Sequence, residues 1–299
     1  MAENSQRREQ SDDRLKTPSG LWRDAFRHLM RRPLAIFGLV MISLLIIAAI
    51  FGPVIAPYDP NEINIPERFE PPSWSHPFGT DDFGRDIFSR VLYGARVSLK
   101  VGLIAVSLAL IAGTILGLLS GYVSRILDEI IMRIMDVMFA FPTILLAILF
   151  MAALGRGIES AMVAIGIVYT PIFARIARGA VLSIREEEYV NAANAIGAGD
   201  GRILVRHILP NALAPLIVET TLSLAFAILA EAALSFFGLG VQPPDASWGR
   251  MLLEGRSFLR QSIWLGVFPG LAIMVTVMGF NFLGDGLRDA LDPRMKGRR

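Results

Sequence analysis

Apolar residues along this chain fall in long unbroken runs, not in the short repeats of an amphipathic surface. Runs stand out at 34–56, 97–122, 130–154, 160–177, 212–237 and 263–283. Crossing about 30 Å of hydrocarbon takes roughly 20 helical residues, so each run predicts a membrane-spanning helix. Phe141-Pro142 places a kink in the third, because a proline removes one backbone donor and crowds the preceding turn. The first run is too long for the apolar core of a signal peptide, and no small-residue cleavage pattern closes it, so it is expected to remain. The fold class is therefore an all-α polytopic membrane protein with six transmembrane helices.

Between the runs the pattern changes character. Residues 1–20 are polar and Arg-rich and are expected to be disordered. Leu21, Trp22, Ala25, Phe26, Leu29 and Met30 recur at helical spacing with Arg23, Arg27 and Arg31 interleaved, the pattern of a helix lying in a membrane interface. In the second run Ala105, Ala109, Gly113, Gly117 and Gly121 fall at every fourth place. That small-residue ridge lets another helix approach closely. The expected organisation is a tail with an interfacial helix (1–33), the first span and a proline-rich loop (34–96), a five-helix core (97–285) and a second tail (286–299). Within the core, 178–211 is a polar loop.

Composition narrows the class. The chain contains no cysteine, so disulfides, zinc–thiolate sites and thiol catalysis are excluded. The net charge is only +2, so no nucleic-acid partner is expected; where the charges sit matters more. Of the 29 Lys and Arg residues, 20 lie on the side that six spans assign to both termini and the 178–211 loop. By the positive-inside rule that side is cytoplasmic.

Catalytic readings fail on motif or topology, and no cofactor or metal site is expected. The chain has no Gly-rich phosphate loop ending in Gly-Lys-Ser/Thr, so it does not hydrolyse ATP by that route. His28, His76 and His207 all lie outside the spans, which removes an intramembrane Ser–His pair. Asp59 and Asp285 echo the two motifs of a membrane aspartyl protease, but sit at opposite ends of spans about 30 Å long. Two carboxylates sharing a proton must nearly touch.

One polar stretch, Ser183 to Pro210, separates the fourth and fifth spans. Ser183 and Glu186 are spaced as a capping box, and good helix formers follow as far as Ile196. Glu188 lies in this helix; Tyr189, Val190, Ala193 and Ile196 form a narrow apolar strip, and Ala192, Ala193 and Ala195 keep it thin. Gly197 is the expected stop, with left-handed backbone. A second short helix should then end at Leu209-Pro210. Such an element suits docking into a groove on another protein, although a plain surface hairpin has the same spacing.

Charges inside spans are costly against lipid and usually face a cavity or a partner. Glu231, about 28 Å along the fifth span, is expected either to line a pathway, with Ser235 one turn on, or to pair structurally. Glu219 lies near headgroups, and Asn281 could cap or bridge helices near an inner gate.

The 183–210 stretch resembles the cytoplasmic coupling loop of binding-protein-dependent ABC importer permeases. That family's motif reads Glu-Ala-Ala, three residues, Gly, nine residues, Ile, one residue, Leu-Pro. Ala192, Ala193, Gly197, Leu209 and Pro210 fall on matching positions, while Asn191 replaces the Glu and His207 the Ile. HPFGTDDFGRD (76–86), ALSFFGLGVQPPDASWG (233–249) and LGDGLRDALDPR (283–294) are similar to the C-type permease of dipeptide and oligopeptide importers. The resemblance implies the type I importer fold in a bacterial inner membrane. It also implies a sister B-type permease, two cytoplasmic ATPase subunits and an extracytoplasmic solute-binding protein. The same machinery carries nickel, sugars and other small solutes. A self-sufficient secondary transporter would show inverted repeats and broken mid-membrane helices, and neither is read from the sequence.

Overall fold

The computed structural model describes residues 27–291. Most of the expected interfacial helix and the last residues of the tail motif lie outside that range. Among the described residues the chain is helical, and five helices are long and apolar enough to cross a membrane. They are α1 (Pro33–Ile55), α2 (Ile87–Tyr122), α5 (Ile158–Ile184), α7 (Asp200–Phe236) and α9 (Trp264–Leu291).

The expected third span is where structure and sequence part. It is not one kinked helix but two, α3 (Arg125–Phe139) and α4 (Thr143–Leu154), bent by 100° at residues 140–142. Counted as one, the bent pair brings the spans to six. The reason lies in α3 itself. Ile131 and Met135 face inward one turn apart while Arg125, Glu129 and Arg133 face out, so α3 is amphipathic and cannot sit in lipid all round. Only α4 is apolar throughout.

The small-residue ridge packs as its spacing predicts. Ala105, Ala109, Gly113, Gly117 and Gly121 are all buried, and α2 lies along α5. A Cβ on Gly113 would stand 2.5 Å from Cβ of Phe173 and 2.6 Å from the Thr170 carbonyl oxygen. One on Gly121 would stand 2.8 Å from Cβ of Val181. Contacts that short are not tolerated, so glycine is what sets the separation of the two helices. At 36 residues, α2 is about 54 Å long and reaches past the membrane. On the other side of the bundle, α1 packs on α9 and α2, and α7 on α9, α2 and α5. Close approach recurs at Gly38, whose Cβ would meet Gly279 O at 2.7 Å.

Two further boundaries differ from expectation. Ser183 does not cap a new helix; α5 continues through it to Ile184, because Val181 keeps the helix period and is fully buried at this end. Pro210 does not end a helix either. The chain widens into a π turn over Leu204–Ile208, which makes room for the ring, and α7 continues unbroken to Phe236.

Candidate functional site

The segment joining α5 to α7 is a helical hairpin held by few contacts. After α5 a short turn leads into α6 (Glu188–Ala195), whose N-cap residue Glu187 makes no side-chain cap bond. Val190 is fully buried, in a small cluster with Val181, Ile203 and Ile208 against Leu118 and Tyr122. That cluster is the apolar anchor of α6. Gly197 ends the helix with φ +84°, its N–H donating to Asn194 O at 2.9 Å while Ala198 N–H donates to Ala193 O at 3.0 Å. Nothing stands within 4 Å of where its Cβ would be, so the backbone conformation and not crowding requires glycine here.

The apolar strip expected on α6 is split between two faces. Val190 points into the bundle and Ala193 is half-buried, whereas Ile196 is 87% and Tyr189 45% exposed. Glu188 and Ala192 lie with them on the open face. Tyr189 is steadied by Asn211, whose side-chain N–H donates to its hydroxyl at 3.2 Å. Partial burial, with Glu187 nearby, pushes the phenol pKa upward. Across the hairpin, Tyr122 donates to Asp200 at 3.0 Å. Leu209 is half-buried and Pro210 exposed, both on the α7 shoulder of the hairpin.

At the opposite end, the 76–86 motif folds into a buried ionic cluster that sequence reasoning had not built. Asp86 caps α2, its carboxylate accepting from Ser89 N–H at 2.7 Å, and also meets His76 Nδ1 at 3.0 Å. Arg85 Nε donates to Asp81 at 2.6 Å and its Nη2 to Glu254 at 3.0 Å. Arg90, 1% exposed, reaches Glu254 at 3.3 Å and donates to Pro60 O at 3.0 Å. Burial and the neighbouring Asp81 hold the Asp82 carboxyl above its usual range. Glu254 belongs to α8 (Trp248–Gly255), whose Trp248 is buried against Gly94 and donates its indole N–H to Val91 O at 3.0 Å. The 57–86 and 238–262 segments are thus tied to each other and to the top of α2. Only the crowding of three Asp and two Arg between Asp81 and Arg90 hinted at this.

Glu231 is placed differently from the pathway-lining expectation. Its carboxylate has no exposed surface. It accepts from Ser98 of α2 at 3.0 Å and from Ser235 at 2.8 Å, while Ser235 Oγ in turn accepts from Val241 N–H at 3.1 Å. In this conformation Glu231 and Ser235 are enclosed by this chain's own helices. The apolar ridge of α2 gives way to Ser98 at this level, which is why the carboxylate turns inward. Asn281, half-buried, donates to Val277 O at 2.9 Å on its own helix and bridges nothing.

Comparison with known proteins agrees with this geometry. Residues 113–297 match the family model described as binding-protein-dependent transport system inner membrane component. Residues 20–72 match the N-terminal TM domain of oligopeptide transport permease C. The chain is 54% identical to the dipeptide transport system permease protein DppC of Alkalihalophilus pseudofirmus, over 92% of this chain and 90% of that one. It is 46% identical to the probable D,D-dipeptide transport system permease protein DdpC of Escherichia coli, over 89% and 90%. It is 44% identical to the glutathione transport system permease protein GsiD of Pectobacterium atrosepticum, over 95% and 94%. Among solved structures, an inward-facing form of the MetNI methionine ABC transporter superposes with a TM-score of 0.56 at 19% identity. It covers 67% of this chain and 96% of the other, and shows a shared fold. With a helical bundle, a hairpin exposed at one end of it and two matching family models, the chain belongs to the binding-protein-dependent transport system inner membrane components, as a multi-pass permease subunit of the oligopeptide permease C type.

Proposed function

We propose that this permease forms half of a peptide-import pore driven by ATP hydrolysis on partner subunits. The observation that carries the reading is α6: a thin helix pinned by Val190 alone, with Tyr189 and Ile196 left open at the bundle's end. Apolar side chains of that size on a surface hairpin fit a groove on another protein. The partners are a sister B-type permease, two ATPase subunits docked at α6 and its pseudo-symmetric counterpart, and an extracytoplasmic solute-binding protein. Glu188, Tyr189, Ala192 and Ile196 make the docking face; Gly197 sets its angle, and Ala193, Leu209 and Pro210 support it from behind.

In this reading α6 and both termini lie in the cytoplasm and the ionic cluster of Arg85, Arg90 and Glu254 outside, which the charge asymmetry supports. Peptides are the substrate class because relatives covering nine-tenths of the chain are named for dipeptide, D,D-dipeptide and glutathione transport. A ligand-induced shift of the ATPases would move α6 as a rigid body and change which side of the pore is open. The test is to purify the complex through this subunit, identify the co-purifying ATPases and binding protein, and measure by calorimetry whether that protein binds a dipeptide mixture. A binding protein that takes nickel or a sugar and no peptide would overturn the substrate class. A complex without ATPases would overturn the coupling reading. Orientation is read separately: a cysteine at Asp200 should label only from the cytoplasm and one at Pro244 only from outside.

A further inference from the structure

Helix α3 is tethered to α5 at two points and hinged at its far end. Its buried side chains are Ile131 and Met135, which pack on Ala174 of α5. Beside that small contact, Arg178 donates to both carboxylate oxygens of Asp128, at 2.6 and 2.7 Å. The Ser120 hydroxyl of α2 donates to the same carboxylate. Two turns further along α3, Arg175 donates to Asp136 at 2.6 Å, and its guanidinium stands 4.0 Å from the centroid of Phe139. Beyond Phe139 the chain bends by 100° into α4. The rest of α3 leaves Ile126, Ile130, Ile134 and Val137 exposed.

Both arginines stand on the last turns of α5, the helix that runs without a break to Ile184 and then leads straight into α6. A displacement of α6 therefore carries Arg175 and Arg178 with it. Apolar contacts between helices slide easily, whereas a two-pronged Arg–carboxylate pair fixes direction as well as distance. With only two buried apolar residues of its own, α3 would otherwise be free to swing about residues 140–142.

We propose that Asp128–Arg178, seconded by Asp136–Arg175, is the linkage that transmits movement of α6 to α3. These are positioning residues: they touch neither solute nor nucleotide, and they act by making the hinged half of the third span follow α5. The inference rests on α6 being the ATPase-docking helix, and its experiment separates the two ideas. At the end of α5, Arg185 donates to Gly121 O at 3.1 Å, so the same end of α5 also holds α2.

The experiment uses the whole transporter, purified through this subunit and reconstituted in vesicles with its co-purifying binding protein and a labelled dipeptide mixture. Measured together are ATPase co-purification, ATP hydrolysis and the amount of peptide carried per ATP. Asp128→Asn and Arg178→Gln should retain the ATPases and continue to hydrolyse ATP, while peptide carried per ATP falls about tenfold. Asp136→Asn, whose pair is more exposed, should lower that ratio about threefold. The exchange Asp128→Arg with Arg178→Asp should restore most of it. A merely structural pair would lower the yield of complex and leave the ratio alone. An unchanged ratio in Asp128→Asn and Asp136→Asn complexes overturns the linkage, as does an assembled exchange variant that is no better than the single ones. Failure of the docking reading looks different: Gly197→Val complexes would keep their ATPases and their solute-stimulated hydrolysis.

Discussion

At the 57–86 end of the bundle a cluster of charged residues turns inward; at the 183–210 end the charged residues point outward. Arg85, Arg90 and Asp81 are buried and paired with one another or with Glu254, and Asp86 is buried against His76 and Ser89. Glu186, Glu187, Glu188 and Arg206 are exposed, and α6 is attached through one buried valine. Both stretches are polar interruptions between apolar runs, and composition does not separate them. The difference is one of partners within the chain. The first end has a second segment, 238–262, folded down on it; the second has only its own hairpin. A polar segment satisfied from within is rigid, and one left open is free to bind something else.

The comparison is broken most forcibly at Arg90. Arg90→Met should destabilise the subunit by about 3–5 kcal/mol, because Glu254 and Asp81 then keep charges with fewer partners. Thermal unfolding of the purified complex reads this; a loss below about 1 kcal/mol would mean the inward charges hold nothing together. At the other end, Gly197→Val should cost about 1 kcal/mol or more through its left-handed backbone, and should release the ATPases from the purified complex. Glu231→Gln should cost about 1 kcal/mol, since a neutral amide still serves one of the two serines bonded to it, with peptide uptake near wild type. A collapse of uptake with an unchanged melting temperature would return that carboxylate to the solute pathway. The smallest stability change belongs to Ile196→Asp, within about 0.5 kcal/mol because the side chain is already in solvent. Its uptake should nonetheless be abolished, which sharpens the contrast: stability is kept at one end and function at the other.

Much of this was legible in sequence where the physics is local. Runs of apolar residues marked the five long helices to within a few residues at most ends, because lipid allows few alternatives to a helix. The ridge from Ala105 to Gly121 marked its packing face, and Gly197 its left-handed turn. What failed was non-local. Phe141-Pro142 marked the place of the bend but not its 100° angle, because the split of the third span into an amphipathic α3 and an apolar α4 depends on how Ile131 and Met135 of α3 pack on α5. The bond to Glu231 was not legible because its partner Ser98 lies 133 residues away. Ser183 and Pro210 looked like ends of helices; packing by Val181 and the π turn at Leu204–Ile208 override both signals.

The glycine ridge also has a consequence for how the chain is made. Gly113 faces Phe173, and Gly121 faces Val181, so each notch waits for a residue 60 positions later in synthesis. At about 5–20 residues per second, each notch on α2 stays open for roughly 3–12 seconds after its own glycine is made. During that interval it is filled by lipid or by the insertion machinery, and α5 must displace that occupant as it enters. A photo-crosslinker at Gly113 should therefore mark lipid or translocon in nascent chains that stop short of Phe173, and α5 only in longer ones.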